Sequence, residues 1–340
     1  MICRLIACWV VAGLLFLVAG CGVETSDPET GSVYEPRAKL EKPPTPVSLL
    51  LNWFPEAEHG GFFAADVHEF YDSKGLDVEI RPGGPGTQVV SQVATGRVMF
   101  GITNADRVLV GHAAGAKTVA LMAAMQVSPR CVMVHENSGV DSLDKLNRVS
   151  TLAVNSTATW SLFLQKKVDL GGVQLVPYAG NVSQFLLNDD YAQQAYSISE
   201  PFVALQQMAR PRVLMVSKLG FNPYTSVLIT SPETIHERPD LVRRMVLASI
   251  QGWRKYLDDP LATNQAIFER NEDMGLPILA FGARELKRLC ITDKVPRDRL
   301  GAMTETRWKT LADQLIEVEA IEDGSVDIKQ AFTTEFLPAR

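Results

Sequence analysis

The stretch VSLLLNWFPEAEHGGFFAADVHEFYDSKG, residues 47–75, decides the fold class. Its opening run VSLLLNW is almost wholly apolar, as expected of a buried strand, and GGFFAADVHEFYDSKG has the pattern of a helix that ends at Gly75. A strand followed directly by a helix is the start of a βα unit. The turn between them is crowded with aromatic and ionisable side chains, which suggests contact with a ligand: Trp53, Phe54, Glu56, Glu58 and His59.

The same alternation continues along the chain and predicts an α/β fold with mainly parallel sheets flanked by helices. Predicted strands cover residues 47–53, 77–81, 98–102, 118–126, 131–135, 151–154, 194–198, 212–216 and 226–230. Predicted helices cover residues 58–73, 86–95, 106–114, 159–168, 183–187 and 201–209, with a helical cluster after Thr230. The pattern breaks near Arg130 and near Asn222. We therefore expect two lobes, the first formed by residues 47–130 with 225–340 and the second by residues 131–224.

Composition sets the class of protein. The chain has 340 residues, 46% of them hydrophobic and 21% charged, and a net charge of -6. These values are typical of a globular protein that is large enough for two lobes. A mildly acidic protein does not attract phosphate backbones, so nucleic acid is not expected as a partner.

The N-terminus has the pattern of a secretory leader. Arg4 precedes an apolar run from Leu5 to Ala19, which is short for a membrane span and suited to a signal peptide over residues 1–20. Val-Ala-Gly-Cys at positions 18–21 resembles a bacterial lipobox, which implies cleavage before Cys21 and lipidation of its thiol. An uncleaved anchor helix is the alternative. Residues 21–46 are rich in proline and charge and poor in large apolar residues, so we expect a disordered tether.

Cys131 and Cys290 are the cysteines that follow Cys21. They could form a disulfide or remain as two buried thiols, and the sequence alone leaves both open. No cysteine pair has the spacing of a metal site, and we expect neither a metal nor a cofactor.

Four segments carry a family resemblance. LLLNWFPEAEHGGFFAA, VVSQVATGRVMFGITNADRVL, GNVSQFLLNDDYAQQAYSISEPFVAL and NPYTSVLITSPETIHERPDLVRRMVLASIQGWRKYLDDP resemble the bacterial solute-binding proteins that serve as thiamine-pyrimidine, riboflavin, alkanesulfonate and nitrate receptors. The resemblance covers residues 47–270. It implies the type 2 periplasmic-binding-protein fold, with a ligand cleft between two lobes. It also implies a monomeric, non-catalytic receptor outside the cytoplasm, with the permease and ATPase of an ABC importer as partners.

Ligands of open α/β sheets bind beyond the carboxyl ends of strands, so the loops there hold the candidate ligand-binding residues. Trp53 and Phe54 could stack on a flat ring or cover the core, and Tyr224 could stack or act in a hinge. His59 could form a hydrogen bond with a ligand, or it could serve in capping or packing. Glu58 and Glu200 could recognise an amino group of a ligand, or they could only interact favourably with the dipole at a helix N-terminus. The complete set is Asn52, Trp53, Phe54, Glu58, His59, Gly84, Thr87, Thr103, Asn104, Asp106, Asn155, Ser156, Thr157, Asn181, Ser199, Glu200 and Tyr224.

The balance of these side chains bears on the ligand. Glu58, Asp106 and Glu200 are carboxylates, which disfavour a small anion and favour an aromatic heterocycle that is neutral or bears an amino group, such as a thiamine-type pyrimidine or a flavin. A sulfonate or nitrate receptor is the alternative, and a receptor domain adapted as a sensor is another.

An enzyme resembling the eukaryotic thiamine-pyrimidine synthases is a further alternative. Those enzymes carry a lysine and a histidine where this chain has Thr103 and Arg107, and a cysteine-rich run where it has GFNPYTSVLIT. The residues of that chemistry are therefore missing at the matching positions.

Overall fold

Ten strands form two five-stranded sheets in the computed structural model, which describes residues 43–339. The strands are β1 (Thr45–Leu50), β2 (Leu76–Arg81), β3 (Phe100–Thr103), β4 (Val119–Met125), β5 (Arg130–His135), β6 (Thr151–Ala153), β7 (Gln174–Val176), β8 (Tyr191–Tyr196), β9 (Pro211–Met215) and β10 (Thr225–Thr230). We call the part built on β1–β4 and β10 the first half, and the part built on β5–β9 the second half.

The two sheets share one topology. Their strand orders are β2-β1-β3-β10-β4 and β7-β6-β8-β5-β9, so in each sheet one strand is inserted next to the edge strand. The inserted strands β10 and β5 are antiparallel to both of their neighbours, and the other four strands of each sheet run in one direction. Both inserted strands directly follow a crossing of the chain between the sheets. The prediction of an α/β fold with mainly parallel strands is confirmed.

Twelve α-helices accompany these sheets in the described residues. They are α1 (Gly60–Val67), α2 (Val89–Ala94), α3 (Ala105–Ala113), α4 (Thr159–Lys167), α5 (Ser183–Leu187), α6 (Glu200–Gln206), α7 (Pro232–Glu237), α8 (Pro239–Asp258), α9 (Leu261–Arg270), α10 (Leu276–Cys290), α11 (Glu305–Glu317) and α12 (Ile328–Ala331). The first predicted helix extends six residues beyond the end of α1, because the chain turns after Val67 and Glu69 adopts a φ of 58°.

Close packing of α1 on α8 fixes the turn that follows β1. A Cβ on Gly61 would lie 2.0 Å from the Trp253 ring, and one on Gly252 would lie 2.1 Å from the carbonyl oxygen of Gly61. No side chain fits at either contact, so the two helix backbones approach as closely as glycine allows. This contact holds the N-terminal end of α1 in place beneath the loop that carries Trp53.

Helix α11 belongs to a hydrophobic core that both halves share. Trp308, Leu311 and Leu315 pack in one cluster with Val108 of the first half and Phe163 of the second. A second cluster lies between the first sheet and α8 and α10, and a small third cluster lies within the second half.

Several predicted segments differ from the structure at their ends. Strand β1 begins at Thr45, so Thr45 and Pro46 of the predicted tether are paired with β2. Strand β5 begins at Arg130, which we had assigned to the first lobe.

Cys131 and Cys290 are free, buried thiols. The predicted signal peptide, Cys21 and residues 22–42 of the tether lie outside the described residues, and the lobe boundaries stay a prediction. Within residues 43–339, no helix is both long enough and apolar enough to cross a bilayer.

Candidate functional site

The carboxyl ends of strands from both halves meet. Thr159, at the start of α4, donates a hydrogen bond of 2.6 Å to Oδ2 of Asp106 in the first turn of α3. Asn104, directly after β3, donates to the hydroxyl of Tyr196 at the end of β8, with 3.4 Å between the atoms. Both contacts join the first half to the second, so the loops predicted to hold the ligand face one another.

A buried network organises the loop after β1. Asn52 donates through Nδ2 to Glu58 Oε1 (2.8 Å), and its Oδ1 lies 3.1 Å from His59 Nε2. The same His59 nitrogen lies 3.1 Å from Glu58 Oε1, and the Ser226 hydroxyl donates to the Glu58 carbonyl oxygen. Three predicted site residues, Asn52, Glu58 and His59, are therefore brought together, and they hold each other in fixed orientations.

The pKa values of two glutamates of this loop are shifted in opposite directions. Burial alone would raise the pKa of Glu58, but His59, the hydrogen bond from Asn52 and the charge of Arg130 hold it below its ordinary value. Burial, with the charges of Glu58 and Glu200, holds the pKa of Glu56 well above its ordinary value. Glu58 is thus an anion, and Glu56 retains its proton to a higher pH. The electrostatic influence of Glu200 on Glu56 reaches from one half to the other.

Trp53 and Phe54 are exposed aromatic side chains. Their exposed fractions are 38% and 47%, and their rings meet edge to face with centroids 5.5 Å apart. The loop of residues 82–88 packs beside them, because the Gly83 amide donates to the Trp53 carbonyl and a Cβ on Gly84 would touch the Phe54 ring. Thr87 donates through its amide to the Gly84 carbonyl. Trp53 is therefore not a core residue, and its role in ligand binding stays a prediction.

Four buried polar atoms near the ends of β1 and β3 have no hydrogen-bond partner. Thr103 is buried at the end of β3, and neither Asn104 nor Asp106 caps α3 with its side chain. Because buried polar groups are nearly always paired, this concentration of unpaired groups makes the two loops the candidate site, and ligand binding there stays a prediction. The atoms are Glu58 Oε2, His59 Nδ1, Asn104 Oδ1 and Asp106 Oδ1.

A cavity of about 350 Å³ lies at the carboxyl ends of β6 and β7. Asn155 and Ser156 line it together with Tyr178. The Asn155 side chain accepts hydrogen bonds from the amide and hydroxyl of Thr157. Asn155 and Thr157 thus stabilise their own turn, and helix α4 begins two residues later without a side-chain cap.

The carboxylate of Glu200 is hydrogen-bonded to residues of its own half, the second. Its carboxylate accepts hydrogen bonds from the Tyr178 hydroxyl (2.8 Å), the Tyr196 amide (2.9 Å) and the Ser199 hydroxyl. Asn181 stabilises the turn before α5 by accepting from the Ser183 amide. Three donors already bond the carboxylate oxygens of Glu200, and its role in ligand binding stays a prediction.

Tyr224 lies in the core where the chain returns to the first half. It is 2% exposed, its hydroxyl accepts from the Thr304 amide, and the Arg307 guanidinium lies 3.9 Å from its ring centroid. Arg307 also donates to the carbonyl oxygens of Gln126 and Asn222, which belong to the two crossing segments. The buried ring of Tyr224 offers little exposed face for stacking on a ligand, and its role in a hinge stays a prediction.

Several residues of the site were missed from the sequence. Arg130, Trp160, Tyr178 and Tyr196 all lie at the facing edges, and Arg130 stacks on Tyr196 and Trp160. A polar or aromatic residue at the carboxyl end of a strand indicates a candidate site residue, and Tyr196 is such a residue. It was missed because the predicted strand over residues 194–198 places Tyr196 inside the strand, whereas β8 ends at Tyr196. Among the described residues, no group of three or more His, Cys, Asp or Glu side chains is placed to hold a metal ion.

Comparison with known proteins agrees with this architecture. The chain is 22% identical over 342 residues to the riboflavin-binding protein RibY of Chloroflexus aurantiacus, covering 96% of this chain and 95% of that one. It is 20% identical over 300 residues to a 4-amino-5-hydroxymethyl-2-methylpyrimidine phosphate synthase of Legionella pneumophila, covering 86% and 92%.

The fold matches solved structures as well. The periplasmic aliphatic sulphonate binding protein SsuA of Escherichia coli superposes with a TM-score of 0.66 at 13% identity, covering 87% of this chain and 95% of that one. At this identity the likeness shows the fold, which is that of the periplasmic binding proteins. The model of the family described as NMT1/THI5 like matches residues 56–263, which is more than half of the sequence, and the chain belongs to that family.

Proposed function

We propose that this protein is the solute receptor of an ABC importer and that it captures a small planar heterocycle bearing N–H groups. The unpaired atoms Glu58 Oε2, Asn104 Oδ1 and Asp106 Oδ1 carry this proposal. All three can only accept hydrogen bonds when the carboxyl groups are ionised. A buried acceptor without a donor costs about 1–3 kcal/mol, so a ligand that supplies N–H donors gains that energy on binding.

The exposed aromatic pair supports a flat ligand. Trp53 and Phe54 lie in the loop after β1, which also carries Glu58. Their exposed aromatic faces offer a large apolar contact to a ring of the ligand. The name of the RibY relative records riboflavin as its ligand, and a flavin combines a flat ring with an N–H donor. A thiamine-type pyrimidine with an amino group has the same two properties.

A sulfonate is the second candidate, because the fold also matches SsuA. Sulfonate oxygens only accept hydrogen bonds, so they need donors and positive charge. Three of the four unpaired atoms at the ends of β1 and β3 are carboxylate or amide oxygens, which accept hydrogen bonds, and Glu58 and Asp106 would repel an anion even with Arg130 nearby. The heterocycle therefore fits these loops better.

An enzymatic role is less well supported, although one relative is named as a synthase. Thr103 and Arg107 occupy the positions at which the eukaryotic pyrimidine synthases carry lysine and histidine, and residues 220–230 contain no cysteine. We therefore propose binding without catalysis. The lipobox-like residues 18–21 and the proline-rich tether support a receptor that is lipid-anchored at Cys21 on the periplasmic side of a membrane, beside its permease and ATPase.

A thermal-shift screen of residues 22–340 tests this function. The panel contains riboflavin, an aminopyrimidine, an alkanesulfonate, nitrate and a polyamine. A ligand present at 100 times its Kd stabilises the folded state by about 2.7 kcal/mol, which corresponds to a shift of several degrees. We expect a heterocycle to raise the melting temperature and the sulfonate and nitrate to leave it unchanged. A shift with the sulfonate and with no heterocycle would refute the proposed ligand class.

A further inference from the structure

Arg130 is a cation held in place at the junction of the two halves. It is the first residue of β5, and its guanidinium carbon lies 4.5 Å from the ring centroid of Tyr196 and 5.3 Å from that of Trp160. Its Nη2 donates to the Tyr196 hydroxyl over 3.2 Å. Two aromatic rings and one hydrogen bond therefore fix the plane of the guanidinium.

Most N–H groups of the Arg130 guanidinium make no hydrogen bond to the described part of the chain. A guanidinium carries five N–H donors, and within residues 43–339 the side chain of Arg130 makes the single bond to Tyr196. None of the ion pairs in that part of the chain involves Arg130, although Glu58 lies close enough for the two charges to interact. An arginine in such surroundings, without a carboxylate partner, is available to an acceptor on a ligand.

Glu58 presents the complementary group. Its Oε1 is occupied by Asn52 and His59, whereas its Oε2 is buried and unpaired. Because Asn52 and His59 fix the orientation of the carboxylate, the position of Oε2 is fixed as well. The loop after β1 thus offers an acceptor, and the start of β5 offers donors, within the range over which their charges interact.

We propose that Arg130 and Glu58 together read a lactam or imide edge of the ligand, in which a ring carbonyl stands next to a ring N–H. Arg130 donates to the carbonyl oxygen, and Glu58 Oε2 accepts from the N–H. This inference rests on the proposed function and narrows its ligand class to heterocycles with adjacent C=O and N–H groups. An aminopyrimidine without a ring carbonyl leaves Arg130 without an acceptor, and a sulfonate leaves Glu58 without a donor.

The experiment compares riboflavin with riboflavin methylated on its imide nitrogen, by titration of residues 22–340 with fluorescence detection. Methylation removes the N–H but keeps the ring and its carbonyls. We expect the wild type to bind the methylated flavin at least about 10-fold more weakly, because a hydrogen bond to a charged group is lost. In Glu58→Gln that preference should shrink to less than about 3-fold.

Arg130 is tested with the same ligands. Arg130→Met should weaken riboflavin binding roughly 10-fold or more while preserving the preference for riboflavin over its methylated form, and Arg130→Lys should fall between Met and wild type. The ratio of the two affinities within one variant does not depend on the fraction of folded protein, so it remains valid if a variant is destabilised. Arg243→Met is the matched control, since Arg243 is exposed and stacks on Phe336 at 5.4 Å, away from the facing loops.

The outcomes separate this inference from the function on which it rests. Equal affinity of wild type and Arg130→Met for riboflavin would overturn the inference and leave a heterocycle receptor standing. Tight binding of an aminopyrimidine, with none of riboflavin, would have the same meaning. Binding of the alkanesulfonate alone would overturn both the inference and the proposed function.

Discussion

The hydroxyl of Thr159 donates to Asp106 over 2.6 Å and thereby joins the first turn of α4 to the first turn of α3. Both side chains are buried, and the other carboxylate oxygen of Asp106 has no partner. Thr159 is therefore the one side chain among the described residues that hydrogen-bonds to this carboxylate, and it does so across the two halves.

Thr159→Val should lower the free energy of unfolding by about 1–3 kcal/mol, because the Asp106 carboxylate would be buried without any donor. Urea unfolding at neutral pH measures this change. Thr310→Val is the control, since the Thr310 hydroxyl is exposed on α11 and bonds only to a carbonyl one turn earlier, so its effect should stay within about 0.5 kcal/mol. Equal effects of the two substitutions would show that the contact with Asp106 contributes nothing.

Arg307→Met should destabilise the protein by about 2 kcal/mol or more. The Arg307 guanidinium donates to the carbonyl oxygens of Gln126 and Asn222 at 2.6 and 2.7 Å, so its removal takes a charged donor from both crossing segments and leaves the Gln126 carbonyl with only the longer bond of 3.3 Å from Asn222 Nδ2. Lys309→Met, on the exposed side of the same helix, should have little effect. Denaturant unfolding of both variants makes the comparison, and a stable Arg307→Met would mean that the crossing segments do not depend on this contact.

Gly252→Ala should destabilise the packing of α1 on α8 by about 1–3 kcal/mol, because the added Cβ would overlap the Gly61 carbonyl oxygen at 2.1 Å. Gly275→Ala is the matched control, since the nearest atom to its Cβ is 3.8 Å away. Melting temperatures of the two variants give the test. A Gly252→Ala variant as stable as Gly275→Ala would show that the helices separate without cost.

Glu56→Gln should change how stability depends on pH. The folded-state pKa of Glu56 is raised by burial and by the charges of Glu58 and Glu200, so as the pH rises the unfolded chain releases this proton first. Below the unfolded pKa of about 4.3, wild type and variant should be equally stable, and above it the wild type should lose stability relative to Glu56→Gln. Melting temperatures between pH 4 and 8 measure the difference, with the exposed Glu272→Gln as control. A constant difference across this range would contradict the shifted pKa.

The sequence predicts the architecture well, because hydrophobic periodicity reports which elements form. The strand and turn after residue 47 and the helical cluster after Thr230 follow from apolar spacing, and α8 of that cluster begins at Pro239, since proline suits a first helical position. The three-residue strand β7 was missed because it is too short to show alternation. The shared topology of the two sheets has no counterpart in a sequence repeat, since it arises from the order of pairing and not from similar residues.

The site was predictable only in part. Asn52, Glu58 and His59 are neighbours in sequence, so their mutual contact could be anticipated from one loop. Arg130 and Tyr196 come from separate segments, and their stacking depends on β5 being inserted beside β8, which periodicity does not reveal. Likewise, the three donors that surround Glu200 could not be inferred from its position at a helix start.

The central claim is that the exposed ring of Trp53 and the unpaired acceptors beside it bind a flat heterocycle. Fluorescence titration of residues 22–340 with riboflavin, for wild type and Trp53→Ala in parallel, tests it most directly. We expect saturable binding at one site in the wild type and a loss of affinity of roughly 10-fold or more in Trp53→Ala, with an unchanged melting temperature of the free protein. Unchanged affinity in Trp53→Ala, or saturable binding of an alkanesulfonate in place of riboflavin, would contradict this account.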